Sequence, residues 1–311
     1  MTAAATIALL GVNSGFTMAQ DFTIESEYAK QVKHHPHIKP YAPDVNNVDA
    51  SLGVTYAKSE DGATLKMDIY KPHTREGLLK PVVLIHGGGW QSGRRNLDGP
   101  MASRLAEAGI CAFCIDYRLS GQARYPAALI DVNTALAWIA SRSDSLHVDM
   151  TRLTVAGTSA GGQMAALIGA ANGTMDKLMP KGIKVPKIAR VVDIDGVLAF
   201  IHPDSSEGRD KPGKTSSATR WLGAPMSGDS TLWMEASAIS HVGEWSAERF
   251  IFINSGQKRF SAGQGETVEA LRGVGKYASE TKFEDTPHTF WLFDPWAEEV
   301  AQLIISEIEK N

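Results

Sequence analysis

Residues 153–171 read LTVAGTSAGGQMAALIGAA. Apolar and β-branched residues lead into Gly157-Thr158-Ser159-Ala160-Gly161, and small, helix-compatible residues follow it. A G-x-S-x-G run set between a strand and a helix makes a tight turn in which only small neighbours avoid clashes. The serine Oγ is left exposed at the positive end of the helix. The bare pattern is common; the strand before it and the helix after it give it weight. Ser159 is the candidate nucleophile.

A second stretch, VVLIHGGGWQSG at residues 82–93, ends a buried strand at His86 and then drops three side chains in a row. Glycine there costs backbone entropy and contributes no packing. Its benefit is bare backbone N–H brought close to something that must be held. An alkoxide attacking a carbonyl creates an oxyanion, and preorganised N–H donors lower that barrier. The expected donors are the N–H groups of Gly87, Gly88 and Ala160, with Trp90 lining the cleft beside them. A phosphate loop would need Lys-Ser or Lys-Thr downstream, which is absent.

The bulk properties fit a globular enzyme. The chain has 311 residues, 43% hydrophobic and 21% charged, with 31 basic and 35 acidic side chains and a net charge of −4. No long basic run marks a nucleic-acid partner. No stretch after the leader reaches the roughly 18 apolar residues of a membrane span. Residues 1–20, apolar and ending near a TMA site, have the character of a signal peptide, which predicts a secreted or periplasmic protein. Cys111 and Cys114 fall three apart on a predicted strand, so they face opposite sides and are expected as buried thiols. His34, His35 and His37 straddle a proline without a carboxylate or cysteine beside them, a poor metal set. No metal or other cofactor is expected; the oligomeric state is not legible.

Residues 21–50 read as an irregular polar segment. From residue 51 the rhythm is regular: a hairpin, then strands alternating with helices up to a terminal helix with Asp294 as its expected N-cap and an apolar face at Trp296, Val300, Leu303, Ile304 and Ile308. Residues 196–247 show weak periodicity and read as a loop-rich insertion. The pattern predicts one α/β domain over 51–311, with a mostly parallel central sheet covered by helices on both faces.

HGGGW, DYRLSGQARYPAALIDV and GTSAGG together resemble the α/β-hydrolase superfamily, on the branch of bacterial feruloyl/acetyl-type carbohydrate esterases. The downstream segments VVDIDGVLAFIHPDSSEG, LWMEASAISHVG, FINSGQKRF and DTPHTFWLFDPW are similar to secreted pectin-associated esterases. The resemblance covers roughly residues 50–310. It implies the α/β-hydrolase fold and a serine esterase that removes methyl or acetyl esters from pectin. Acetyl-xylan, feruloyl or small-molecule esters are the alternative substrates.

In this fold the base histidine comes late, which points to His288 in the loop after the last predicted strand, with His241 and His202 in reserve. The acid is ambiguous. The usual place after the RFIFINS strand holds Lys258 and Arg259, and residues 250–265 contain no carboxylate. Asp195 at the end of VVDID is the first choice, because some hydrolases of this fold use that position; Glu266 and Asp285 are the others, and a dyad without acid is also open. Asp193 shares a strand face with Asp195 and complicates the choice. Arg259, with Arg94 and Arg95, is a candidate for pairing with carboxylates of an acidic polymer. Trp291, beside His288, is a candidate sugar platform, although Phe290, Trp291, Phe293 and Trp296 also suit core packing. A catalytically inactive carbohydrate-binding module on the same fold is the rival of another class.

Overall fold

The computed structural model describes residues 22–74 and 76–310. The expected signal peptide lies outside the described residues. In chain order, helix α1 (Ile24–Gln31) and strand β1 (Lys39–Pro40) precede a long hairpin of β2 (Val48–Lys58) and β3 (Thr64–Pro72). Then come β4 (Lys80–Ile85), α2 (Gly99–Glu107), β5 (Ile110–Ile115), α3 (Ala127–Ala140) and the short α4 (Ser143–Leu146). Next are β6 (Thr154–Thr158), α5 (Ala160–Ala171), β7 (Arg190–Ile194), and two short helices, α6 (Ser217–Leu222) and α7 (Ser230–Glu235). The chain closes with β8 (Arg249–Ser255), α8 (Gln264–Gly273), β9 (Tyr277–Phe283), β10 (Phe293–Asp294) and α9 (Trp296–Glu309).

The main sheet has the order β2-β3-β5-β4-β6-β7-β8-β9. β2–β3 and β3–β5 pair antiparallel, and every later pair is parallel. This is the α/β-hydrolase fold. The inner strands bury both faces, which is why β5 reads ICAFCI without alternation. Cys111 belongs to the core on one side of the sheet and Cys114 to the core on the other, as strand geometry requires. Helices α3 and α5 fill the first core; α2 and α9 fill the second.

Three expectations change. Residues 21–50 are not irregular throughout, because α1 forms behind a reciprocal Thr23–Ser26 capping box and β1 pairs with β10. Asp294 does not cap α9: its backbone is extended in β10, paired with Lys39, and Pro295 takes the cap position. The segment 196–247 carries its own packing, with Trp221 and Phe200 buried against Trp90 and Trp233 buried against Phe200.

Because parallel strands share one direction, the ends of β4, β6, β7 and β9 open at one edge of the sheet. Ligands in open α/β sheets bind outside those carboxyl ends. The glycine run follows β4, Ser159 follows β6, Asp195 follows β7 and His288 follows β9.

Candidate active site

Ser159 sits between β6 and α5 with φ 53° and ψ −117°, a backbone conformation a non-glycine residue adopts only under constraint. The constraint is contact. A Cβ on Gly157 would lie 2.2 Å from the Gly161 carbonyl oxygen, and one on Gly161 only 1.9 Å from that of Ile85. The two flanking glycines let strand and helix close on each other and lift the serine out of the turn.

His288 bridges two partners. Its Nε2 is 2.8 Å from Ser159 Oγ, and its Nδ1 is 2.8 Å from Asp195 Oδ2. A carboxylate only accepts, so Nδ1 carries the proton and Nε2 presents its lone pair to the serine hydroxyl. Phe260 stacks flat on the imidazole, centroids 3.4 Å apart and planes at 6°, while Trp291 meets the ring edge-on at 5.2 Å. The imidazole is clamped on a face and an edge.

Asp195 is wholly buried at φ 54°. Its Oδ1 accepts the Ser255 N–H at 2.7 Å, and its Oδ2 accepts the Ser255 hydroxyl at 2.7 Å as well as His288. Three donors compensate the burial of this side chain. The competing carboxylates go elsewhere. Glu266 is exposed on α8, 3.2 Å from His202 Nε2, and Asp285 is exposed in a left-handed turn. Asp193, also buried, accepts the Gly196 N–H at 2.8 Å; burial foremost, and the neighbouring Asp195 charge, push its carboxyl well above the ordinary range. His241 donates to or accepts from no member of this relay and bonds the Glu235 carbonyl instead.

The cleft over the relay has a volume of about 520 Å³. Gly88, Gly89 and Ala160 line it around Ser159. Gly87 does not: it packs beneath, where an added Cβ would stand 3.0 Å from the Thr158 carbonyl oxygen. The glycines facing the cleft are therefore Gly88 and Gly89, one residue later than expected. Gly88, at φ 120°, has no room for a side chain against Ser92. His86 is a support. It stacks on Tyr117 at 4.3 Å, and burial lowers its pKa to about 4, so it stays neutral.

Trp90 lines the cleft as expected, backed by Trp221 at 4.8 Å and anchored by an Nε1–H bond to Gln163. Arg259 lines it too, paired with Glu207 at 3.3 Å and lying over Phe260 at 4.2 Å. Trp291 does not: it is buried in the second core under His288, because its neighbours Phe290 and Phe293 anchor that loop to the interior. Arg95 is tied to Asp68 and Asp116, and Arg94 lies in a neighbouring groove. Among the described residues no cluster of His, Cys, Asp or Glu is arranged to hold a metal, and His35 and His37 pack on Trp296 instead.

Sequence reasoning missed Ser255, the partner of Asp195, and the cleft residues Phe260, Glu207, Ser217, and Phe22 and Lys30 from the N-terminal segment. Ser255 alone left a signal, as the polar end of the strand beside Asp195. No helix of the described residues is long and apolar enough to cross a membrane.

The BD-FAE family model matches residues 67–268, about two-thirds of the chain. This span includes Ser159 and Asp195 and stops short of His288. Carboxylesterase NlhH of Mycobacterium tuberculosis is 30% identical over 155 residues, covering 49% of this chain and 46% of NlhH. The chain thus aligns with about half the length of that relative. Among solved structures, a truncated carbohydrate esterase from gut microbiota superposes with TM-score 0.67 at 18% identity, over 88% of this chain and 100% of the other. Esterase B from Lactobacillus rhamnosis superposes with TM-score 0.69 at 20% identity, over 92% and 93%. At such identities the likeness speaks for the fold.

Proposed function

The chain belongs to the BD-FAE family, and from that membership and the Ser159–His288–Asp195 relay we propose that it hydrolyses carboxylic esters through a serine acyl-enzyme. The carrying observation is the pair of 2.8 Å contacts that joins hydroxyl, imidazole and carboxylate in one line. His288 Nε2 takes the proton as Ser159 Oγ bonds to the ester carbonyl carbon. Asp195 stabilises the imidazolium that forms. The carbonyl oxygen, now an oxyanion, is held by N–H groups of Gly88, Gly89 and Ala160, each worth about 3–4 kcal/mol in the transition state. The tetrahedral intermediate collapses, the C–O bond to the alcohol breaks, and His288 returns its proton to the departing oxygen. Water then attacks the acyl-enzyme by the same route and releases the acid.

The substrate is proposed to be a plant cell-wall polysaccharide carrying methyl or acetyl esters, with pectin the first choice. Xylan acetates, feruloyl esters and small esters are the alternatives. A wall furnished by Gln91, Ser92, Glu207, Ser217, Arg259 and Lys30 supports a polar, polyhydroxylated occupant over a lipid chain. The half-exposed Arg259 suits a uronate carboxylate. With residues 1–20 read as a signal peptide, the proposed location is secreted or periplasmic. The rival binding-module reading drew its force from the carboxylate missing after β8, and the 2.8 Å contact between Asp195 and His288 supports the esterase reading over it.

A panel of methylated and acetylated pectin, acetyl-xylan and p-nitrophenyl esters tests the proposal. Release of methanol or acetate from pectin at a kcat/KM above that on acetyl-xylan is expected. Turnover confined to p-nitrophenyl esters would remove the polysaccharide, and no turnover on any would remove the esterase.

A further inference from the structure

The N-terminal segment at residues 22–41 precedes the span matched by the family, yet it reaches the catalytic cleft. Phe22 and Lys30 line the same cavity as Ser159 and His288. Both are held in place. Thr23 caps α1 one residue after Phe22, and Lys30 Nζ is tethered at 2.5 Å to Glu27, which is itself buried.

The same segment grips the loop that follows His288. The Tyr41 N–H donates to the Leu292 carbonyl at 2.8 Å, and β1 pairs with Phe293 and Asp294. Tyr28 lies 6.3 Å from the Phe293 ring, and the Tyr41 hydroxyl donates to Glu298 at 2.6 Å on α9. A short stretch of chain thus forms a wall of the cleft and a brace behind the base.

We propose that residues 22–41 are a working strap of the active site: Phe22 and Lys30 contact the sugar portion of the ester, a pyranose ring, and the remaining contacts hold the His288 loop. This rests on the ester-hydrolase reading. A sugar has an apolar face that packs on an aromatic ring and an edge of hydroxyls that accepts N–H donors. Phe22 offers the ring. Lys30, with one donor committed to Glu27, offers the others. Tyr28 is a positioning residue, acting through Phe293.

The test compares the full chain with its Phe22→Ala, Lys30→Gln and double variants on p-nitrophenyl acetate and on an acetylated oligosaccharide. The ratio of kcat/KM, oligosaccharide over small ester, should fall about tenfold in the double variant, carried by KM. Hydrogen exchange across residues 289–294 should quicken about tenfold in Tyr28→Ala, with the melting profile still cooperative. A ratio within twofold of wild type, or a wild type that cleaves the small ester and no oligosaccharide, overturns the substrate contacts. Unchanged exchange overturns the brace. A wild type that cleaves neither ester overturns the esterase reading and the substrate contacts together.

Discussion

Replacing Asp195 by asparagine changes one oxygen to NH2, and the surroundings decide where that NH2 goes. Three donors point at the native carboxylate: the Ser255 N–H at Oδ1, and the Ser255 hydroxyl and His288 Nδ1–H at Oδ2. The backbone N–H cannot turn away, whereas a hydroxyl rotates and an imidazole changes tautomer. An amide nitrogen facing the Ser255 N–H would bury two donors against each other, at a cost of about 1–3 kcal/mol. The amide therefore directs its oxygen to Ser255 N–H and its nitrogen to His288. Nδ1 must then accept, Nε2 carries the proton, and the lone pair that should receive the Ser159 proton is gone. The imidazolium also loses its counter-charge. Asp195→Asn is expected to lower kcat by roughly 10²–10⁴, about 3–5 kcal/mol of transition-state stabilisation, with KM little changed. The assay is steady-state hydrolysis of p-nitrophenyl acetate at neutral pH, with a thermal melt to confirm folding. Glu266→Gln and Asp285→Asn, whose side chains are exposed, should each cost less than about threefold. A folded Asp195→Asn within threefold of wild-type kcat, or a larger loss in Glu266→Gln, would refute this account of the acid.

Phe260→Ala removes the face that His288 rests on, and kcat should fall about tenfold with KM little changed; an unchanged kcat would make the ring mere packing. Asp193 stands outside the relay, and burial pushes its carboxyl well above the ordinary range, so Asp193→Asn should leave kcat alone, whereas Asp193→Ala orphans the Gly196 N–H and should cost about 1–3 kcal/mol in denaturant melts. Asp98 is buried against the apolar pocket beneath Thr158, and burial raises its pKa to about 7. The native state therefore holds a proton the unfolded chain gives up. The Asp98 contribution is whole below the unfolded carboxylate range, near pH 4, and is lost as pH rises to about 7. Asp98→Asn should flatten that decline by a few kcal/mol, and parallel stability curves for variant and wild type would contradict it.

What could be read from sequence follows the range of the interactions involved. The turn at Ser159 and the glycine run were legible because part of their constraint is local: a Cβ at Gly157 collides with the Gly161 carbonyl oxygen, and one at Gly88 with that of Ser92, each four residues on. The sheet was legible because strands buried on both faces lose their alternation. Asp195 could be named only among rivals, since the choice depends on Ser255, a neighbour across β7 and β8 and 60 residues away. The glycines that line the cleft lie one residue later than the sequence suggested, because a one-residue register in a tight turn is set by what packs behind it. Trp291 looked like a sugar platform from its place beside His288, but the buried Phe290 and Phe293 turn that stretch inward. Phe22, Lys30 and Phe260 left no trace. Their part in the cleft depends wholly on long-range packing.

The central claim is that Ser159 is the nucleophile activated by His288, and covalent labelling tests it most directly. Wild-type protein exposed to a fluorophosphonate probe should gain one adduct, located by peptide mass at Ser159. His288→Ala should label far more slowly, and Ser159→Ala should lose both label and ester hydrolysis while keeping its melting transition. A folded Ser159→Ala variant that still takes up the probe, or still turns over esters at the wild-type rate, would contradict the account.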